Sequence, residues 1–219
     1  MAIRQQDRFS LWVLAWPIFI ELFLQFLLGA VDTLMVSRIS DNAVAVVGFS
    51  NQIFNALTTL FTTVSGGAGI LIAQRIGAGN NEEARRIAIV ALTVTASIGV
   101  LISAWLYAQP LALATWLKIP PELYDMANTY ISIVGGGMIL SALMAVLGTS
   151  IRNTGNTKGP MYIAVGINVI HVVLNYGFIY GAFGLPQLGL QGVAISTIVS
   201  RFIAVVVLAY LFITAFDRR

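Results

Sequence analysis

The sequence predicts an all-α protein, a polytopic membrane helical bundle of six transmembrane helices. Three observations carry that prediction. First, 58% of the 219 residues are hydrophobic, 10% are charged, and mean hydropathy is +0.87; a soluble domain has about 25% charged and roughly 45–50% apolar residues. Second, six apolar runs reach the ~20 residues that a membrane-crossing helix needs, well beyond the ~10-residue alternating segments of barrel strands. Third, the basic residues fall mainly in short loops on one side. This composition excludes a soluble enzyme, a secreted disulfide scaffold and a disordered tail. With no cysteine, disulfides, thiol nucleophiles and Cys-based metal sites are excluded as well. The net charge of +3 does not point to nucleic acid, because the bases are dispersed and fit membrane topology better.

The first span runs from Phe9 to Val36 and contains Pro17, which removes one backbone hydrogen bond and favours a bend, static or mobile. The second covers 43–73. The third opens near Glu82, where Asn80 followed by Glu83 suits a cap, and stops at Gln109 before Pro110. The stretch 110–121, with Trp116 and Lys118, reads as an interfacial connector. The fourth span covers 122–150, and Gly155, Gly159 and Pro160 separate it from the fifth, 161–180. Gly181, Gly184, Pro186 and Gly189 then precede the sixth, 190–216. The N-terminal apolar stretch is too long and too acidic for a cleaved signal peptide.

Orientation follows from the bases. With a cytoplasmic N-terminus, Arg4, Arg8, Arg75, Arg85, Arg86, Arg152, Lys158, Arg218 and Arg219 lie inside, against Arg38 and Lys118 outside. Both termini are therefore expected in the cytoplasm, and the chain in the cell membrane as a multi-pass protein whose first partner is the lipid bilayer.

Polar residues inside the spans carry the functional information, since each is costly there unless it faces protein or water. At about 100° per residue, Glu21, Gln25, Gly29 and Asp32 share a sector of roughly 80°, with Pro17 beside it. Asn51, Asn55, Thr58, Thr62 and Ser65 form a stripe on the second span. Asn168, His171 and Asn175 share a face of the fifth, and Thr197, Ser200 and Arg201 one of the sixth. Helix–helix adhesion explains the small hydroxyls and glycines as well as substrate contact does. Asp32 reads as functional, because a membrane carboxylate must titrate, pair or hold a cation. Glu21 reads either as functional or as buried and neutral. Arg201 reads first as the structural partner of an acid, with anion binding and snorkelling as alternatives. His171 has neither a cysteine nor a second histidine beside it, so no transition-metal site is expected. It reads as an interior hydrogen-bonded residue or as part of a proton or alkali-cation site.

No nucleotide-binding P-loop, zinc-protease or nucleophile-elbow motif occurs, nor an arginine ladder or potassium filter. The protein is therefore expected to be neither an ATP-driven pump nor an enzyme, and to need no cofactor.

Four segments in order carry a family resemblance: GAVDTLMVSRIS at 29–40 following Pro17, IAQRIGAGNNEEARR at 72–86, RNTGNTKGPM at 152–161, and NVIHVVLNYGFIYGAFGLPQLGLQGVAIST at 168–197. Together they resemble the N-terminal half of a multidrug and toxic compound extrusion (MATE) transporter, across essentially all 219 residues. The resemblance implies a six-helix lobe spanning 1–219, one of two in a twelve-helix exporter that trades organic cations or other amphipathic drugs for H⁺ or Na⁺ by alternating access. It also implies a coupling-ion site matching Asp32, His171, Asn175 and Thr197, with Tyr130 matching a tyrosine of the fourth helix. Pro17, Glu21, Gln25, Asn51, Asn55, Asn168 and Arg201 complete the expected cavity or moving parts. The family usually has Asn at the position of His171 and often Asp at that of Asn175. An imidazole there favours H⁺ over Na⁺, which prefers oxygen ligands, although Na⁺ at Asp32 stays open.

A complete transporter of this type needs about twice this length, so a C-terminal lobe or a second chain is expected as partner. The segment 211–219 resembles the exit into the linker between lobes. Two other readings remain: a lipid-linked precursor flippase of similar fold, disfavoured because Arg201 alone is an intramembrane base, and a non-transporting half-length protein or scaffold.

Overall fold

The computed structural model describes residues 5–217, with side chains at 12, 13 and 15–216. The side chains of Arg4, Arg8, Arg218 and Arg219, counted above for orientation, lie outside these described residues. Eight α-helices follow in order: α1 Gln5–Ser37, α2 Asp41–Gly77, α3 Asn81–Ala108, α4 Pro110–Trp116, α5 Tyr124–Tyr130, α6 Met138–Asn153, α7 Lys158–Tyr180 and α8 Leu190–Asp217. Six helical segments are long and apolar enough to cross a membrane. The fourth is compound: the short helix α5, a π turn at Ile131–Gly135, and α6. The expected connector at 110–121 is partly the helix α4, begun by Pro110 in the first-turn position where its missing N–H costs nothing.

Local chemistry sets the ends. Ser40 caps α2 by accepting from the Ala43 N–H at 3.1 Å. Asn80 caps α3 by accepting from the Glu83 N–H at 3.2 Å, as the spacing of these residues predicts, and its amide donates to the Glu83 carboxylate at 2.8 Å. Arg75, at the end of α2, pairs with that carboxylate at 3.2 Å and locks the turn. Gly181 ends α7 with φ 69°, the left-handed conformation that glycine adopts without steric cost.

The fourth span is the most enclosed, and α6 packs on α2, α3 and α8. Its break explains how. Gly135 lies where an added Cβ would stand 2.9 Å from Leu106 Cβ, and one on Gly137 would overlap the end of Ile198. The glycines therefore let the span approach α3 and α8 closely. The Ile139 N–H, in the first turn after the break and without a helical partner there, donates to Ser103 Oγ on α3 at 2.7 Å. Apolar packing is continuous around Val46, Phe54, Phe61, Leu106, Ile131 and Met138. A second cluster around Ile72, Leu147, Ile151 and Phe212 fills the end that carries the described termini.

The first span is the opposite case. No residue of its most apolar window is buried. It rests chiefly on α7 and only sparingly on α2. The helix continues through Pro17, which is itself buried.

Candidate ion-coupling site

Asp32 sits one turn before the end of α1, about a quarter of its side chain exposed, facing two almost fully buried residues of α7. His171 Nε2 lies 3.0 and 3.1 Å from the two carboxylate oxygens, and Asn175 Nδ2 donates to Oδ1 at 2.8 Å. An ionised carboxylate only accepts hydrogen bonds, so Nε2 is the protonated ring nitrogen when Asp32 is charged. His171 and Asn175 are four residues apart, which stacks them on one face of α7; their side chains stand 3.1 Å apart.

The sixth-span hydroxyl in this cluster is Ser196 rather than Thr197. Ser196 Oγ is bonded to Asn175 Oδ1, whereas Thr197 Oγ1 donates to Val193 O of its own helix at 2.9 Å. Ser196 Oγ also lies 2.9 Å from Val193 O. One hydroxyl proton thus has two acceptors. With Asp32 ionised, Ser196 donates to Asn175 Oδ1, and the amide turns its N–H groups to the acid. With Asp32 protonated, the reversed amide is equally consistent: Asp32 donates to Oδ1, Nδ2 donates to Ser196, and Ser196 donates to Val193 O. The acid, amide and hydroxyl can therefore exchange donor and acceptor roles in either charge state of Asp32.

This gives a stability prediction independent of transport. Asn175 is fully buried, so Ser196→Ala leaves its carbonyl without a donor and should cost about 1–3 kcal/mol. Thr197→Ala, which removes only a bond to its own backbone, should cost less than half of that. Thermal unfolding in detergent compares the two, and equal effects would remove Ser196 from the cluster.

The remaining candidates divide. Tyr130, buried on α5, donates to Asn51 Oδ1 at 3.4 Å and packs against Phe54 with ring centres 6.3 Å apart. Arg201 forms no ion pair among the described residues, contrary to the structural pairing expected of it; its Nη1 is sealed from solvent without a hydrogen-bond partner. Glu21 is not part of this cluster. It pairs with Arg152, in the last turn of α6, whose Nη1 lies 2.9 and 3.0 Å from both carboxylate oxygens. Thr149 accepts from the other guanidinium nitrogen at 3.3 Å. Glu21 thus tethers α1 to α6 through Arg152. Gln25 and Asn55 are exposed, and Asn168 is half-buried; none of the three makes a side-chain hydrogen bond with another residue's side chain among the described residues. No group of three acidic or histidine side chains able to hold a metal occurs among the described residues.

A family model described as MatE matches residues 17–177, nearly three quarters of the chain and every element from Pro17 through most of α7. The chain belongs to the MatE family. It is 36% identical over 198 residues to the uncharacterized transporter YisQ of Bacillus subtilis, covering 90% of this chain and 44% of that protein. It is 32% identical over 197 residues to the probable multidrug resistance protein NorM of Thermotoga maritima, covering 90% and 42%. An outward-facing MATE family transporter of the MOP superfamily shares the fold, with a TM-score of 0.84 and 24% identity over 92% of this chain and 44% of the other. The MatE chain is therefore a multi-pass membrane protein that spans less than half the length of these relatives.

Proposed function

We propose that this chain is the N-terminal lobe, residues 1–219, of a secondary multidrug exporter in the cell membrane, with both termini cytoplasmic. It trades organic cations or other amphipathic drugs for an inward-moving ion by alternating access, together with a second lobe or a second chain. The relatives' names as multidrug resistance proteins support the substrate class. One observation carries the mechanism: the titratable Asp32 on the thinly packed α1 is held by His171 and Asn175 of α7. Charging or discharging that contact changes how α1 sits on its neighbour. Ion and drug then favour different arrangements, which is the condition for exchange.

We read the ion as H⁺. His171 presents a nitrogen to Asp32 where a hard alkali cation would need oxygen, and the Ser196–Asn175 pair accommodates the added proton. Everted membrane vesicles carrying the protein as its source gene encodes it should accumulate a cationic dye when the lumen is acidified. A lumen loaded with NaCl at equal pH should not drive uptake. Uptake driven by Na⁺ without a pH gradient would overturn the choice of ion, and uptake under neither gradient would overturn the exporter.

A further inference from the structure

We infer that the seam between α2 and α3 holds an acyl chain of an anionic phospholipid of the cytoplasmic leaflet, with Arg86 gripping the phosphate. The two helices leave a groove of about 520 Å³ on the surface of the bundle, within the ~300–1,000 Å³ range of small-molecule sites. Val64, Ala68 and Leu71 line it from α2, and Ile87, Val90 and Val94 from α3. The short side chains of Ala68 and the buried Ala91 keep the seam open. Leu71, Val90 and Val94 stay about half exposed, so no described part of the protein fills it. Glu83 and Arg86, in the first two turns of α3, close one end. From Arg86 to Val94 the helix rises about 12 Å, against roughly 15 Å for one leaflet's share of the hydrocarbon core. The groove thus matches a chain from a single leaflet in length.

The charges at that end choose the occupant. Glu83 is engaged within the protein: Arg75 pairs with it at 3.2 Å and the Asn80 amide donates to it at 2.8 Å. Arg86 is exposed and forms no ion pair among the described residues. The unmatched charge at the mouth is therefore positive. A guanidinium makes paired hydrogen bonds to phosphate oxygens. With both termini cytoplasmic, as proposed above, Arg86 stands at the cytoplasmic surface, where basic side chains attract anionic headgroups. A cationic drug is repelled at the same place. A second groove of about 520 Å³ lies further along α2 and α3, beside α4, with Ile53, Leu60, Trp105 and Trp116 in its wall. No residue lining it is charged, so it has nothing with which to select a headgroup.

The test is native mass spectrometry of the detergent-purified protein, as its source gene encodes it, titrated with dioleoyl phosphatidylglycerol and, separately, with dioleoyl phosphatidylethanolamine. The first phosphatidylglycerol should bind at least about tenfold tighter than phosphatidylethanolamine, the effect of a hydrogen bond to a charged group. Arg86→Gln should remove most of that preference, and Arg86→Lys should keep an intermediate one, since it retains the charge without the paired geometry. Both variants should fold, because Arg86 is exposed. Val90→Trp, which fills the groove from an exposed position, should weaken phosphatidylglycerol binding, whereas Ala56→Phe in the second groove should leave the preference unchanged. Equal binding of the two lipids by the native protein would overturn the inference, as would a preference that survives Arg86→Gln. Tighter binding of a cationic amphiphile than of phosphatidylglycerol, abolished by Val90→Trp, would assign the groove to a drug and overturn it too. Because the readout is lipid binding rather than efflux, failure here leaves the vesicle experiment to decide the exporter separately.

Discussion

Asp32→Asn should reduce coupled drug efflux to the level of cells lacking the protein, at least a hundredfold or ~2.7 kcal/mol of lost coupling, without lowering its amount in the membrane. The geometry explains why so small a change has so large an effect. Asp32 accepts from both His171 Nε2 and Asn175 Nδ2. An asparagine of the same size offers one acceptor oxygen, and its own amide faces a second donor. The substitution also fixes the site in a neutral state, so the cluster can no longer alternate between charges. The variant should fold, because it keeps the apolar contacts of α1 with α7 and leaves no uncompensated carboxylate. Growth in the presence of a cationic drug, read beside membrane abundance, measures both parts. Undiminished resistance at equal abundance would remove Asp32 from the mechanism.

The second large effect is expected at the opposite end of α1. Glu21→Gln or Arg152→Gln should each lower stability by about 1.5–3 kcal/mol, the range for a hydrogen bond to a charged group. Both side chains are about one quarter exposed, which keeps the loss below that of a fully buried pair. The tether matters because α1 has few other contacts beyond α7. The exchanged pair, Glu21→Arg with Arg152→Glu, should recover at least half of the loss, since the two ends are free to bond in either order. A double-mutant cycle on unfolding free energy isolates the interaction, and a coupling energy below about 0.5 kcal/mol would show that the contact does not hold α1.

The two ends of α1 also show what could be read from residues alone. Span number, the Asn80 cap and the pairing of His171 with Asn175 follow from apolar run length and helical spacing, which are local properties. The resemblance implies Thr197 as the α8 hydroxyl of the cluster, whereas its neighbour Ser196 is the one that bonds Asn175. Ser196 and Thr197 are adjacent hydroxyls about 100° apart on one helix, and only the rotation of α8 against α7 selects between them. Glu21 and Arg152 are 131 residues apart in sequence, and no periodicity links two helices that meet only in the fold. Arg152 reads as a loop base for orientation, yet it ends α6 and binds an acid. Arg201 illustrates the opposite error. An intramembrane base suggests a bonded acid, whereas Arg201 forms no ion pair and its Nη1 has no hydrogen-bond partner among the described residues.

The π turn at Ile131–Gly135 carries a consequence for how the lobe's two ends are phased. A π turn holds one residue more than the regular helical path requires. Before it, Tyr130 meets Asn51 and Phe54; after it, Arg152 meets Glu21. Removing the surplus residue would let the span close into continuous α-helix and swing everything from Met138 onward by about 100° with a ~1.5 Å shift. Tyr130 would stay where it is, while Arg152 would turn away from α1. One codon gained or lost in this turn therefore reassigns the angular relation between the Tyr130 end and the tethered end without altering any residue at either. The fourth span works as a shaft with an adjustable joint, and lobes that differ only in that joint would couple the same two ends differently.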